Sequence, residues 1–247
     1  MAGHSKWANI KHRKAVVDAR RGKLFTRISR EIIVAARLGG ADTEANPRLR
    51  MAIANARAVS MPLDNIKRAI QRGTGEIEGA TYEDVTFEGY GPGGVAMIVE
   101  CTTENRNRTI ADVRSAFSKN GGNLGESNSV AWSFTRQGLL RIDTERSEED
   151  MLELALDVGA DHVEMINDGA VLTCAPDVLG TAARSLEQAG VTIAEQRMVY
   201  EPQQRIAVTD PALAKKLLKL LDTFDDLDDV QQVYNNAEIS DDVADQL

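Results

Sequence analysis

Three features of the sequence predict an α+β protein that opens with a helical domain and continues as two α+β domains, the third inserted in the second. Apolar residues recur at about 100° per residue before residue 75 and at alternate positions from residue 82. The strand and helix signals between residues 139 and 200 form a closed set. The stretch before that set leaves a sheet unfinished, and the elements it lacks come only after Pro202.

Taken in order, residues 5–21 are compatible with a helix carrying Trp7, Ile10, Lys14, Val17 and Arg21 in line. Its apolar stripe is thin and cations occur on nearly every side, so it is expected to order against a partner. Over residues 23–38, Phe25, Ile28, Ile32, Ala35 and Ala36 fall on one side, and Lys23, Arg27, Arg30 and Arg37 on the other. Val34 is the one apolar residue on the basic side, and Gly39-Gly40 supplies the stop. Asn46 reads as an N-cap, with Pro47 at the first position of a helix to about residue 60. A further helix runs over 62–72 and ends at Gly73. Residues 1–75 are therefore the helical domain.

Residues 82–88 and 95–101 alternate, are rich in β-branched types and flank a glycine-rich turn, which predicts a hairpin. Asn107 caps a predicted helix through Lys119, with Ile110, Val113, Ala116 and Phe117 facing inward and Gly121-Gly122 closing it. A strand over 129–134 follows, giving ββαβ. Strand 139–143, helix 147–158, strands 162–166 and 170–174, helix 177–189 and strand 192–200 then give βαββαβ, the order of the ferredoxin-like split βαβ. Strand 206–208, helix 210–221 and a short strand at 230–234 complete the earlier sheet. The expected fold is thus α+β: an N-terminal helical domain followed by two ferredoxin-like α+β domains, the third inserted in the second. The boundaries are 1–75, 76–135 plus 203–240, and 136–202. From Asn236 onward the chain reads as a loose acidic tail.

Charge is divided unevenly along the chain. The formal net charge is −9, yet residues 1–75 hold sixteen Lys and Arg against five Asp and Glu, leaving thirteen against thirty-three for the rest. In residues 1–30 nine cations face a single acid, Asp18. A polyanionic partner is the physical expectation, because each neutralised phosphate releases counterions, and the acidic remainder would face away from it. The candidate nucleic-acid-binding residues are Lys6, Trp7, Lys11, His12, Arg13, Lys14, Arg20, Arg21, Lys23, Arg27, Arg30 and Arg37. Trp7 suits either stacking on a base or anchoring the arm by packing. Aromatics, at 4%, are too sparse for a single-strand binder built from many rings. No apolar run approaches the roughly 20 residues of a membrane span. Cys101 and Cys174 match no metal spacing and read as buried free thiols of a reducing compartment.

Other constellations are weaker. Residues 89–94 contain GxGxxG, but a strand follows where a dinucleotide site needs a helix, so a turn explains them better. Asn105-Arg106-Asn107-Arg108-Thr109 opens a helix, where Arg106 and Arg108 make a possible second anion site; capping by Asn107 or Thr109 accounts for the asparagines and threonine equally well. His4 and His12 lack a second ligand, His162 reads as structural, and the five acids of residues 222–229 lack EF-hand spacing and read as a solvated face. No nucleophile–base pair or two-carboxylate cleft emerges, so no catalytic residue, metal or cofactor is expected and the protein is read as a non-enzyme.

The opening Ala2-Gly3-His4-Ser5-Lys6-Trp7-Ala8-Asn9-Ile10-Lys11-His12 closely resembles the signature of the YebC/PmpR family, whose mitochondrial relatives are translational activators of a cytochrome oxidase subunit. Ala35-Ala36-Arg37-Leu38-Gly39-Gly40, Asn46-Pro47-Arg48-Leu49-Arg50, Met61-Pro62, Gly89-Tyr90-Gly91-Pro92, Asn105-Arg106-Asn107-Arg108-Thr109 and Gly121-Gly122-Asn123-Leu124-Gly125 also match. The resemblance covers essentially the whole chain. It departs at Asn128, where the family usually has Gly, and at Trp132, where a smaller aromatic or aliphatic residue is common. Because the signature begins at Met1, the resemblance implies a bacterial, cytoplasmic protein without a transit peptide. It also implies a helical first domain followed by two α+β domains. For function it implies a regulator of gene expression, described either as a transcriptional regulator binding promoter DNA or as a translation factor. The latter binds ribosomal or transfer RNA on the ribosome and relieves stalling at proline-rich sequences. Charge alone does not separate these partners, and the oligomeric state stays open.

Overall fold

The computed structural model describes residues 17–244 of the 247, with side chains from Gly22 onward except Asp241. The chain divides into two compact units. One comprises residues 28–79 and 136–200, and the other residues 17–27, 80–135 and 201–244.

Three helices come first: α1 (Val17–Gly39), α2 (Pro47–Ala58) and α3 (Leu63–Thr74). The part of the predicted 5–21 helix before Val17 lies outside the described residues. Ile32, Ile33, Val34, Ala35 and Ala36 are all buried, Val34 to 2% exposure. At that level α1 is enclosed on every side, as a helix apolar all round must be, so the expectation that Val34 interrupts a basic side is corrected. Asn46 caps α2 by accepting from the Leu49 amide (3.0 Å), and its Nδ2 donates to the carbonyls of Ala35 (2.8 Å) and Gly40 (2.9 Å). One buried amide thus ends α1 and starts α2. Helix α3 does not end at Gly73, because Gly75 supplies the left-handed cap at φ 83°. Gly73 is instead where the backbones close up: a Cβ there would lie 2.5 Å from the Ile33 carbonyl oxygen.

The same unit contains β4 (Phe134–Asp143), α5 (Glu148–Asp157), β5 (His162–Ile166), β6 (Gly169–Cys174), α6 (Leu179–Gln188) and β7 (Thr192–Pro202). Their sheet order, β5-β6-β4-β7, is that of the split βαβ, and Leu140, Ile142, Met151, Leu172, Ala182 and Leu186 form its dry core. Strand β7 is an edge. At Gln196 its free backbone pair is closed by Asn55 of α2, whose Nδ2 donates to the carbonyl (2.7 Å) while its Oδ1 accepts from the amide (2.9 Å). A side-chain amide therefore substitutes for a neighbouring strand at an edge that would otherwise be open to pairing. His162, expected to be structural, is exposed at the start of β5.

The other unit holds β1 (Glu83–Tyr90), β2 (Ala96–Thr103), α4 (Arg106–Lys119), β3 (Asn123–Leu124), β8 (Ile206–Val208), α7 (Pro211–Asp226), β9 (Val230–Asn235), β10 (Ala237–Ile239) and α8 (Asp241–Ala244). Its sheet runs β3-β1-β2-β9, all neighbours antiparallel, with Phe117 of α4 meeting Phe224 of α7 edge-on at 4.9 Å in the core. A strand from residues 230–235 thus completes a sheet begun at residue 83. The turn at Pro92–Gly94 places Gly93 and Gly94 at φ 75° and 74°, as a tight hairpin needs.

Several expectations are corrected. Residues 129–134 are not a strand: residues 131–133 form a 3₁₀ turn, and Phe134 opens the long strand β4. The pairing expected there is made by β3 instead. Asn105, not Asn107, caps α4, accepting from the Arg108 amide. The stretch after Asn236 is not loose, since β10 pairs parallel with β8 and Asn236 is buried, its side chain accepting from the Ala96 amide (2.8 Å).

Candidate nucleic-acid interface

Among the candidate residues, Lys6, Trp7, Lys11, His12, Arg13 and Lys14 lie outside the described residues, as do the side chains of Arg20 and Arg21 on α1. The next turn of α1 is described, and its cations are not free. Arg27 Nη2 donates to the Asp225 carboxylate (3.1 Å) and to the Asp225 carbonyl (3.2 Å). Lys23 Nζ donates to the same carbonyl and lies 3.9 Å from the Asp226 carboxylate. The physical reason is at the end of α7. Carboxylates at a helix C-terminus oppose the dipole and the unpaired carbonyls there, and α7 has no base in its last turn. Two cations from α1 supply the missing charge. The reading of residues 222–229 as a solvated face is corrected at Asp225.

It is corrected again at Asp229, which is buried. Its carboxylate accepts from Thr109 Oγ1 (2.7 Å), Thr103 Oγ1 (3.0 Å) and Arg108 Nη2 (3.0 Å), joining β2, the start of α4 and the approach to β9. Burial alone would raise this carboxyl, but the bonds from Thr109, Arg108 and Thr103 outweigh it and hold it below the ordinary carboxylate range. Arg108, also 3.7 Å from Glu104, is thereby engaged within the chain although exposed, whereas the exposed Arg106 side chain has no ion pair or hydrogen bond with another described residue. The two arginines of the expected second site therefore stand in different situations. Cys101 is buried close by, and burial, with the charges of Asp229 and Glu100, pushes its thiol up to about 12.

Arg30 is half-buried and Arg37 exposed, and both engage other groups of the chain. A second cationic face lies on α3, where the sequence reading named no candidate. Ile66, Ala69, Ile70 and Gly73 fall on one side of this helix, while Lys67, Arg68 and Arg72 are exposed on the other beside Asn65 and Gln71. The side chains of these three cations make no ion pair or hydrogen bond with another described residue. The signal was present in the sequence as a clean helical alternation over residues 63–74, but the denser charge of residues 1–37 outweighed it. Among the described residues no cluster of His, Cys, Asp and Glu is placed to hold a metal, and no helix is long and apolar enough to cross a membrane.

Comparison with known proteins fits this architecture. Residues 5–76 match the family model described as the TACO1/YebC protein N-terminal domain, and residues 82–237 match the TACO1/YebC second and third domain. A relative from Moorella thermoacetica, named "Probable transcriptional regulatory protein", is 50% identical over 100% of this chain and 99% of its own. Relatives of the same name from Methylacidiphilum infernorum and Myxococcus xanthus are each 49% identical, with the same coverage of both chains. The crystal structure of a conserved hypothetical protein from Aquifex aeolicus superposes with a TM-score of 0.89 at 48% identity, covering 96% of this chain and 98% of that one. The chain belongs to the TACO1/YebC family.

Proposed function

We propose that this protein is a non-enzymatic regulator of gene expression that acts by binding nucleic acid, with DNA as its first target. The observation that carries the reading is the segregation of charge: sixteen cations against five acids in residues 1–75 of an otherwise acidic chain. The names of the relatives point to transcription. Helix α3 adds a plausible reader, because Lys67, Arg68, Asn65 and Gln71 are types that contact phosphates and base edges from a helix in the major groove. Lys6, Trp7, Lys11, His12, Arg13 and Lys14 are counted with the contact residues on the strength of the sequence. Binding RNA on the ribosome is the second reading, favoured by the exposed indole of Trp132, which suits unpaired bases better than a duplex.

The test is to cross-link the protein in growing cells and sequence what is recovered, alongside binding assays in vitro. Promoter DNA supports the first reading; ribosomal or transfer RNA supports the second. Replacing Lys11, Arg13 and Lys14 by Ala should flatten the dependence of log K on log salt by about 3 while thermal stability stays nearly unchanged. A purified protein that ignores both DNA and ribosomes at low ionic strength overturns the proposal.

A further inference from the structure

Trp132 is 73% exposed, yet the loop that carries it is tied down by a buried side chain. The reason is Glu88, a carboxylate on β1 that is only 8% exposed. Its Oε1 accepts from the Asn128 amide (2.7 Å) and its Oε2 from the amides of Val130 (2.8 Å) and Ala131 (2.7 Å). The Glu88 carbonyl also accepts from the Gly125 amide (2.8 Å). Burying a carboxylate is costly unless it is fully hydrogen-bonded, and here every bond goes to the backbone of one loop. Asn128 is held at φ 65°, a conformation that Asn tolerates better than most side chains. On either side of the indole, Val130 and Phe134 are buried anchors. Trp132 Nε1 donates to the Ser129 carbonyl (3.1 Å), which also accepts from Tyr90 Oη (3.1 Å).

The result is an aromatic ring fixed in place, its one polar group already used, and left in solvent. Within the chain, burying an indole would be worth more than exposing it. What surrounds it decides the partner. In the same loop Glu126, Ser127 and Asn128 are exposed, as are Thr135 and Arg136 just after the indole in sequence, whereas Val130 is buried and Leu124 packs on the core. A protein hot spot needs an apolar collar around its aromatic, and the apolar residues of this loop, Val130 and Phe134, are turned into the core instead. A nucleobase needs an open π-face, which the ring offers, and the exposed side chains of the loop are of hydroxyl, amide and charged types.

We propose that Trp132 is a stacking platform for one unpaired nucleobase. This rests on the nucleic-acid reading above and adds a contact in a different part of the chain from the basic helices. Because the indole N–H is occupied, contact is through the ring, so the platform tolerates any base.

The experiment uses the full chain and labelled oligo(U) and oligo(dT) of about 15 nucleotides, with a duplex of equal length as reference. W132A should bind the single strands roughly tenfold more weakly and the duplex as before, with an unchanged salt slope, since no cation is removed. W132F should keep most of the affinity. In a W7F background, Trp132 fluorescence should be quenched when oligo(U) is added. Thermal unfolding should match wild type, because the ring is outside the core. If W132A binds single strands like wild type, or loses single-strand and duplex affinity equally, the platform is overturned while the basic surface survives. If wild type binds no nucleic acid at all, both proposals fall.

Discussion

Lys23 and Arg27 on α1 and the Lys67, Arg68, Arg72 group on α3 are alike in residue type and unlike in the fold. The first pair is half-buried, with both cations donating to Asp225 at the end of α7. The second group is exposed and unengaged among the described residues. What the difference teaches is that a cation's value to a polyanion is set by what it must first release. A phosphate meeting Arg27 has to displace a carboxylate and a carbonyl that already bind its Nη2. A phosphate meeting Arg68 displaces water and counterions, and counterion release is the driving term.

The largest expected effect follows directly. Replacing Lys67, Arg68 and Arg72 together by Ala should lower the salt slope of nucleic-acid binding by about 3 and weaken binding more than tenfold near physiological salt. Replacing Lys23 and Arg27 should change the slope by less than 1. Filter binding or fluorescence anisotropy across a salt series measures both. Equal losses from the two sets would break the comparison.

An intermediate effect tests the third paired cation, Arg108, through its acid. Because the Asp229 carboxyl is held below its ordinary value in the folded chain, it stabilises the fold fully above the ordinary carboxyl range. That stability is lost as pH falls through the depressed folded value. D229N should cost about 2 kcal/mol at neutral pH, since two buried hydroxyls and Arg108 then face a neutral amide oxygen in place of a charged acceptor. Its unfolding profile should also be flatter than wild type below about pH 4. Parallel acid profiles for the two proteins would show that Asp229 holds nothing.

How much of this was legible varies with the range of the interaction. The helices α1 to α3 and the strands from 139 to 200 follow from local periodicity and caps such as Asn46 and Ser147, which act over three or four residues. Membership of β9 in the first sheet was legible because that sheet visibly lacked a strand. The fates of Asp225, Asp229 and Glu88 were not legible, since each is decided by partners 40 to about 200 residues away, and nothing in a run of acids marks which member is buried. The mistaken strand at 129–134 has the same origin. Its alternation is real, but Glu88 gathers that backbone into a turn. Exposure of the α3 cations needed only the helical wheel, and was missed because the count of charge favoured the residues before it.

The smallest expected effect is the most discriminating. If the Asp225 carboxylate competes with phosphate for Arg27, then D225N should raise nucleic-acid affinity by about threefold, the size of an exposed ion pair. It should also steepen the salt slope by about 1, because a cation formerly paired within the chain now sheds counterions onto the ligand. Removing any acid from a chain of net charge −9 also reduces general repulsion of a polyanion. D222N separates the two causes: Asp222 is exposed on the same helix, with no ion pair recorded among the described residues, and the charge change is identical. A gain from D225N that exceeds the gain from D222N, with a steeper slope only in the former, assigns the effect to release of Arg27. Matching gains with matching slopes would reduce Asp225 to one more unit of bulk charge, and Arg27 would then have to be counted with the structural residues of the fold.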